Sequence, residues 1–218
     1  MYKAIIFDLD GTLLNTIDDL CDSMNAALTY FKKSITIDEC KYFVGSGVDK
    51  LIERCLNHFG INTFENFNTL KRLYLNEYKS RQKNKTAPYP GIVDMLEKLK
   101  LNNIKLSVLS NKPDDDTKNV INYYFDSSLF NEVWGKKEGF NVKPNPDSVL
   151  EIIKSLGIEK CEIVYCGDSD VDVQTAKNAG VDCIAVTWGF RTEAELSANN
   201  PKYIVNNVKE IINIMLGE

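Results

Sequence analysis

Histidine is nearly missing from this chain of 218 residues: His58 stands alone. A mechanism that needs a pair or triad of histidines, or a His-rich zinc site, is thereby excluded, and acid–base chemistry falls to carboxylates, Lys, Tyr or Cys. The six cysteines, Cys21, Cys40, Cys55, Cys161, Cys166 and Cys183, contain no C-x-x-C, and their spacing fits neither a zinc knuckle nor a small disulfide framework. A reducing cytoplasmic location is the expectation. No basic block is present, and Lys+Arg 26 against Asp+Glu 31 leaves a net charge of −5, which argues against nucleic acid as a partner. Long apolar runs are lacking too. The first, Tyr2–Phe7, is shorter than a signal segment and meets Asp8 and Asp10, and none approaches the about 20 residues of a spanning helix, so no membrane partner is expected.

What is present is ordinary globular composition, 44% hydrophobic and 26% charged. Short apolar runs, Ala4–Phe7, Ile104–Leu109, Ile163–Cys166 and Cys183–Thr187, alternate with helix-period segments. Unbroken runs are the mark of strands buried on both faces, and intervening helices imply parallel crossovers. The fold class expected is α/β, a Rossmann-like, doubly wound parallel sheet with helices on both faces. Helical stripes fall at Ile92, Met95, Leu96 and Leu99, at Val120, Ile121 and Tyr124, and at Val149, Ile152, Ile153 and Leu156, the last closed by Gly157. A further helix is expected from Asp170 to Ala179, closed by Gly180.

The sheet is interrupted after its first strand. Ile17, Leu20, Cys21, Met24, Leu28 and Phe31 keep helical spacing, as do Val48, Leu51, Ile52, Cys55 and Leu56, and then Phe67, Leu70, Leu73 and Tyr74. The division expected is a core of residues 1–15 and 87–218 with a helical insert of residues 16–86.

Chemistry concentrates where strands end. Asp8 and Asp10, in Phe7-Asp8-Leu9-Asp10-Gly11-Thr12-Leu13, follow the first strand, where ligands of open parallel sheets bind. Two adjacent carboxylates repel and call for a cation or shared proton, and hard oxygens suit Mg²⁺. Ser110-Asn111-Lys112 follows the next run, Lys143 precedes Pro144-Asn145-Pro146, and Gly167-Asp168-Ser169-Asp170-Val171-Asp172 follows a later one. Each segment also suits an ordinary role: an Asp-Gly turn, a helix cap, a solvated lysine, or first-turn acids favoured by the helix dipole.

Together and in this order, D-x-D-G-T, S-N-K, K-P-x-P and G-D-S-x-x-D resemble the motif set of the haloacid dehalogenase superfamily, in particular its aspartyl-phosphate-forming phosphohydrolases. Phe43-Val44-Gly45-Ser46-Gly47-Val48 and Ser110-Asn111-Lys112 are most similar to the phosphoglycolate phosphatase branch. The resemblance implies that the insert is a cap closing over the active site. It implies Asp8 as nucleophile, Asp10 as general acid and then base, and Mg²⁺ held by Asp8, the Asp10 backbone carbonyl and Asp168. Ser110, the Asn111 backbone N–H and Lys143 would bind phosphoryl oxygens, with Gly11 and Thr12 beside the substrate. An acid two residues after the nucleophile suits phosphoryl transfer better than halide displacement, since halide needs no proton. The substrate implied is a small phosphate ester, phosphoglycolate foremost. Inorganic pyrophosphatase and phosphosugar mutase are the neighbouring alternatives, and a receiver-like phosphate- or metal-responsive module the non-enzymatic one. A monomer or homodimer is expected.

Departures from the pattern are Asn15, where many relatives carry an acid, and the extra Asp170. Asp172 is read as an outer ligand or an orienter of other groups, and Arg191 and the Gly45–Gly47 turn stay open as substrate contacts. Cys166 is read as a small core residue, His58 as structural with no evident partner, and Asp114-Asp115-Asp116 as a helix N-terminus after Pro113.

Overall fold

The computed structural model describes residues 2–217. The chain opens with β1 (Ala4–Phe7) and passes through β2 (Leu14–Asn15) into α1 (Ile17–Leu28), α2 (Ile37–Phe43), α3 (Val48–His58) and α4 (Phe64–Arg81), returning by β3 (Ala87–Pro88). Helices and strands then alternate: α5 (Ile92–Leu101), β4 (Lys105–Pro113), α6 (Asp114–Tyr124), β5 (Glu132–Lys136), α7 (Asp147–Leu156) and β6 (Ile163–Gly167). α8 (Asp170–Ala179), β7 (Asp182–Val186), α9 (Glu193–Ala198), β8 (Tyr203–Val205) and α10 (Val208–Leu216) complete it. Two compact units result: one from the chain up to Leu14 and from Pro88 onward, the other Asn15–Ala87.

In the first unit six strands form one parallel sheet, ordered β5-β4-β1-β6-β7-β8. β1 is flanked by β4 and β6, so the strand order reverses beside it, and in doubly wound sheets the crevice at such a reversal takes the ligand. Successive residues of β1 feed two different cores. Ile5 and Phe7 join Leu106, Val108, Val164 and Ile184 beneath α5, α6 and α10. Ala4 and Ile6 join Leu109, Tyr165 and Cys183 beneath α7, α8 and α9. This two-sided burial is why β1 reads as an unbroken apolar run.

In the second unit α1 packs on α4 and α2, and α3 packs on α4 and α2. Its core includes Leu20, Met24, Ile52, Leu56, Leu70 and Tyr74. The expected stripe to Phe31 ends sooner: α1 stops at Leu28, and Thr29–Phe31 is a 3-10 turn closed by Lys32 in the left-handed region. Phe67 and Leu73 are half-buried, while Tyr78, one turn beyond Tyr74, is buried. Among the described residues no helix is long and apolar enough to cross a membrane.

Candidate active site

The site grows from the end of β1. The Asp8 N–H donates to the Cys166 carbonyl at 2.8 Å, extending the β1–β6 ladder by one residue and setting Asp8 level with Gly167. The chain then turns sharply, with the N–H groups of Thr12, Leu13 and Leu14 all directed at the Leu9 carbonyl. Gly11 sits at φ +93°, and a Cβ there would come within 2.3 Å of Asp168 Oδ2, so glycine is required both for conformation and for close approach.

Lys143 lies at the centre. Its Nζ is 2.8 Å from Asp8 Oδ1, 2.7 Å from Asp172 Oδ1 and 3.0 Å from the Tyr165 hydroxyl, all of them buried. Three partners match the three N–H bonds of an ammonium. The side-chain amide of Asn111 clamps the same residue's backbone: Lys143 N–H donates to Asn111 Oδ1 at 2.8 Å, and Asn111 Nδ2 donates to the Lys143 carbonyl at 3.1 Å. Burial works against the ammonium, but Asp172 and Asp8 outweigh it and hold Lys143 well above the ordinary lysine range.

Asp168 and Asp172 leave β6 through Gly167. Asp172 is the third residue of α8 and closes a capping box with Ser169, accepting from Ser169 N–H at 3.1 Å and from its hydroxyl at 2.6 Å. Its other oxygen takes Lys143. Asp168 accepts from the Thr12 hydroxyl at 3.1 Å and from Phe190 N–H at 2.7 Å. The backbone also closes on Asp168 from Gly189, where a Cβ would meet its Cβ at 2.2 Å.

One carboxylate oxygen from each of Asp8, Asp168 and Asp172 lies within 4.8 Å of the other two, and all three residues are buried. Burial and the repulsion of Asp172 raise the Asp8 carboxyl well above its usual range, with Asp168 adding to the rise against the pull of Lys143. Burial and Asp172 push Asp168 up to about 7. Three carboxylates facing one ammonium leave negative charge uncompensated. A hard divalent cation such as Mg²⁺ fits this oxygen-only donor set.

Asp10 is directed elsewhere. Its side chain lies outside the clustered carboxylates, with Oδ1 3.1 Å from Lys112 Nζ. The expectation placed Ser110-Asn111-Lys112 after the second core strand, but these residues continue β4, whose register with β5 shifts between Leu109 and Pro113. Ser110 Oγ accepts from Lys112 N–H at 3.2 Å. Thr12, expected beside substrate, gives its hydroxyl to Asp168.

Outside the cluster, Arg191 Nε pairs with Asp170 Oδ1 at 3.4 Å. His58 does have a partner, Glu39 Oε1 at 3.2 Å, with Phe43 and Phe59 against its ring. The Gly45–Gly47 turn is organised within its own unit by Arg54, which donates to the Tyr42, Phe43 and Val44 carbonyls and to Ser46 Oγ. Cys166 is fully buried and its thiol is pushed far up by burial, as a core residue's would be. Asp114 begins α6 and accepts from Gly135 N–H. Tyr165 and Lys112 touch the candidate site without a signal of their own in the sequence: Tyr165, 3.0 Å from Lys143 Nζ, hides in an apolar strand, and Lys112, 3.1 Å from Asp10 Oδ1, stands in the sequence only as the last residue of the Ser110-Asn111-Lys112 segment.

Comparison with known proteins agrees with this geometry. Residues 5–186 match the model of a family described as haloacid dehalogenase-like hydrolase. A phosphoglycolate phosphatase of Psychrobacter arcticus is 28% identical over 98% of this chain and 96% of its own length. One of Mannheimia succiniciproducens is 30% identical over 98% of each chain. Among solved structures, a Lactobacillus delbrueckii subsp. bulgaricus protein assigned as a phosphoglycolate phosphatase superposes with a TM-score of 0.94 at 34% identity, covering 100% of this chain and 99% of that one. With the family match running from β1 to the end of β7, through every strand that contributes to the acidic cluster, the chain belongs to the haloacid dehalogenase-like hydrolase family.

Proposed function

We propose that this chain is a Mg²⁺-dependent phosphatase that hydrolyses a small-molecule phosphomonoester through a phosphorylated Asp8, with phosphoglycolate as the foremost substrate. The observation that carries it is the buried Asp8–Lys143 pair, set among clustered carboxylates at the end of the central strand. Family membership and relatives named phosphoglycolate phosphatase support the same reading.

Asp8, Asp168 and the Asp10 backbone carbonyl would hold the ion. When bound, Mg²⁺ neutralises the phosphate and the carboxylates so that two anions can meet. An Asp8 carboxylate oxygen then attacks phosphorus, forming one P–O bond as the bond to the leaving oxygen breaks. Asp10 gives that oxygen a proton. In the second half Asp10 takes a proton from a water attacking the same phosphorus, and the Asp8–phosphorus bond breaks to release inorganic phosphate. Ser110, the Asn111 N–H and Lys143 would bind phosphoryl oxygens. All three N–H bonds of Lys143 are engaged, so a phosphoryl oxygen reaches it by sharing the direction of Asp8, while Asp172 and Tyr165 keep it in place.

The test is phosphate release from 2-phosphoglycolate, pyrophosphate, hexose phosphates and nucleoside monophosphates, each with Mg²⁺ and with chelator. The expected result is Mg²⁺-dependent turnover led by 2-phosphoglycolate. Undiminished activity in chelator would refute the metal role, and preference for pyrophosphate would reassign the substrate.

A further inference from the structure

We propose that Lys112 is a positioning residue for Asp10, holding its carboxylate in the orientation needed to exchange a proton with the leaving group. This rests on the reading of Asp10 as the acid and base of the reaction. The side chain of Lys112 is 5% exposed and that of Asp10 19%, so the 3.1 Å ion pair is largely withdrawn from water. Asp10 Oδ1 is inaccessible to solvent and accepts no hydrogen bond among the described residues, which makes the ammonium its charge partner. The accessible part of the Asp10 side chain is therefore the rest of it.

The backbone of Lys112 is fixed from several directions. Its N–H donates to Ser110 Oγ at 3.2 Å, and its carbonyl accepts from Thr117 Oγ1 at 3.4 Å. It also lies so near Gly135 that a Cβ there would approach the carbonyl to 2.7 Å. The register shift between Leu109 and Pro113 places this fixed lysine where it meets Asp10. Burying an ammonium is unfavourable unless it is paired, and a methionine would fill the same space without that penalty. The charge thus serves the carboxylate it meets. Without it, Oδ1 becomes a buried unpaired anion and the carboxylate turns away, so proton transfer fails while attack by Asp8 does not.

That difference is measurable through the leaving group. An alkoxide needs a proton as it departs and p-nitrophenolate does not. Lys112→Met and Lys112→Arg would be assayed under saturating Mg²⁺ on 2-phosphoglycolate, ethyl phosphate and p-nitrophenyl phosphate, with thermal melts alongside. Because Asp10 also serves the water of the second half on every substrate, the rate read is that of leaving-group release in the first turnover: for Lys112→Met it is expected to fall about 100-fold on both alkyl esters, the scale of general acid–base catalysis, and only about threefold on the aryl ester. Lys112→Arg recovers most of the loss, and Lys112→Met added to Asp10→Ala lowers the alkyl rates no further. Equal losses on all three substrates, or none, would overturn the proposal in favour of a structural role. A loss confined to 2-phosphoglycolate would overturn it in favour of direct contact with the substrate's carboxylate. If Lys112→Met does not fold, Lys112→Gln is read by the same ratio. Asp10→Ala lacking the alkyl-selective loss would instead refute the parent reading of Asp10.

Discussion

Asp172 shows how much one side chain carries here. With one oxygen it caps α8 through Ser169, and with the other it holds Lys143. Asp172→Ala should strip a buried ammonium of a partner and destabilise the protein by about 3–5 kcal/mol, read by urea unfolding. Asp168 is confined differently, by backbone that tolerates no side chain at Gly11 or Gly189. Gly189→Ala should displace that carboxylate and weaken Mg²⁺ binding by about 10–100-fold in calorimetry, whereas unchanged affinity would show that the carboxylate is not a ligand. Asp8 and Asp168 are legible because carboxylates at the ends of apolar runs stand out, and Lys143 because it stands just before Pro144-Asn145-Pro146, where a helix starts. Asp172 was legible only in part, since an acid in a first helical turn has an equally good local use. Tyr165 could not be read, because in sequence it is one more large residue of a buried strand, and its hydroxyl gains meaning only when Lys143 arrives from a distant segment.

Among the elements, the central strands announced themselves and the edges did not. β1 and β6 are buried on both faces and read as unbroken apolar runs, whereas β4, Lys-Leu-Ser-Val-Leu-Ser-Asn-Lys-Pro, is as deeply buried but is broken by Ser107 and its polar end. β5, Glu-Val-Trp-Gly-Lys, and the three-residue β8 lie at the two sheet edges, partly exposed, and carry no such pattern. Local hydrophobicity cannot report pairing that is half solvent-facing. α2 was missed for a related reason: in seven residues it buries Cys40 alone, and it is defined by the Thr36–Glu39 capping box instead. In the Asn15–Ala87 unit, Asp19 ties the start of α1 to the segment after α4. Its carboxylate, 1% exposed, accepts from the N–H groups of Lys85 and Thr86 and from the Thr86 hydroxyl at 2.7 Å. Asp19→Ala should leave these donors without their acceptor and destabilise the unit by about 1–3 kcal/mol, seen as faster amide exchange at Lys85 and Thr86. Unchanged exchange would show that the tie contributes nothing.

At the scale of the whole molecule, a net charge of −5 argues against a polyanion as partner but not against a single phosphate. A cation held by the buried carboxylates, as proposed, would reverse the local sign, and Lys143 would add to it. Removing the ion from the protein should therefore lower its melting temperature, and restoring Mg²⁺ to 100 times its Kd should return about 2.7 kcal/mol. Asp168→Asn should abolish that response. The scarcity of histidine also fits, because in the proposed reaction Asp8 and Asp10 divide nucleophile and proton carrier between them. The central claim is that Asp8 itself carries the phosphoryl group. Its most direct test is an acid-quenched reaction with 2-phosphoglycolate and Mg²⁺, followed by mass spectrometry of the peptide containing Asp8. A transient gain of one phosphoryl group on that residue, absent in Asp8→Asn together with all turnover, is the predicted result; turnover that persists in Asp8→Asn would contradict it.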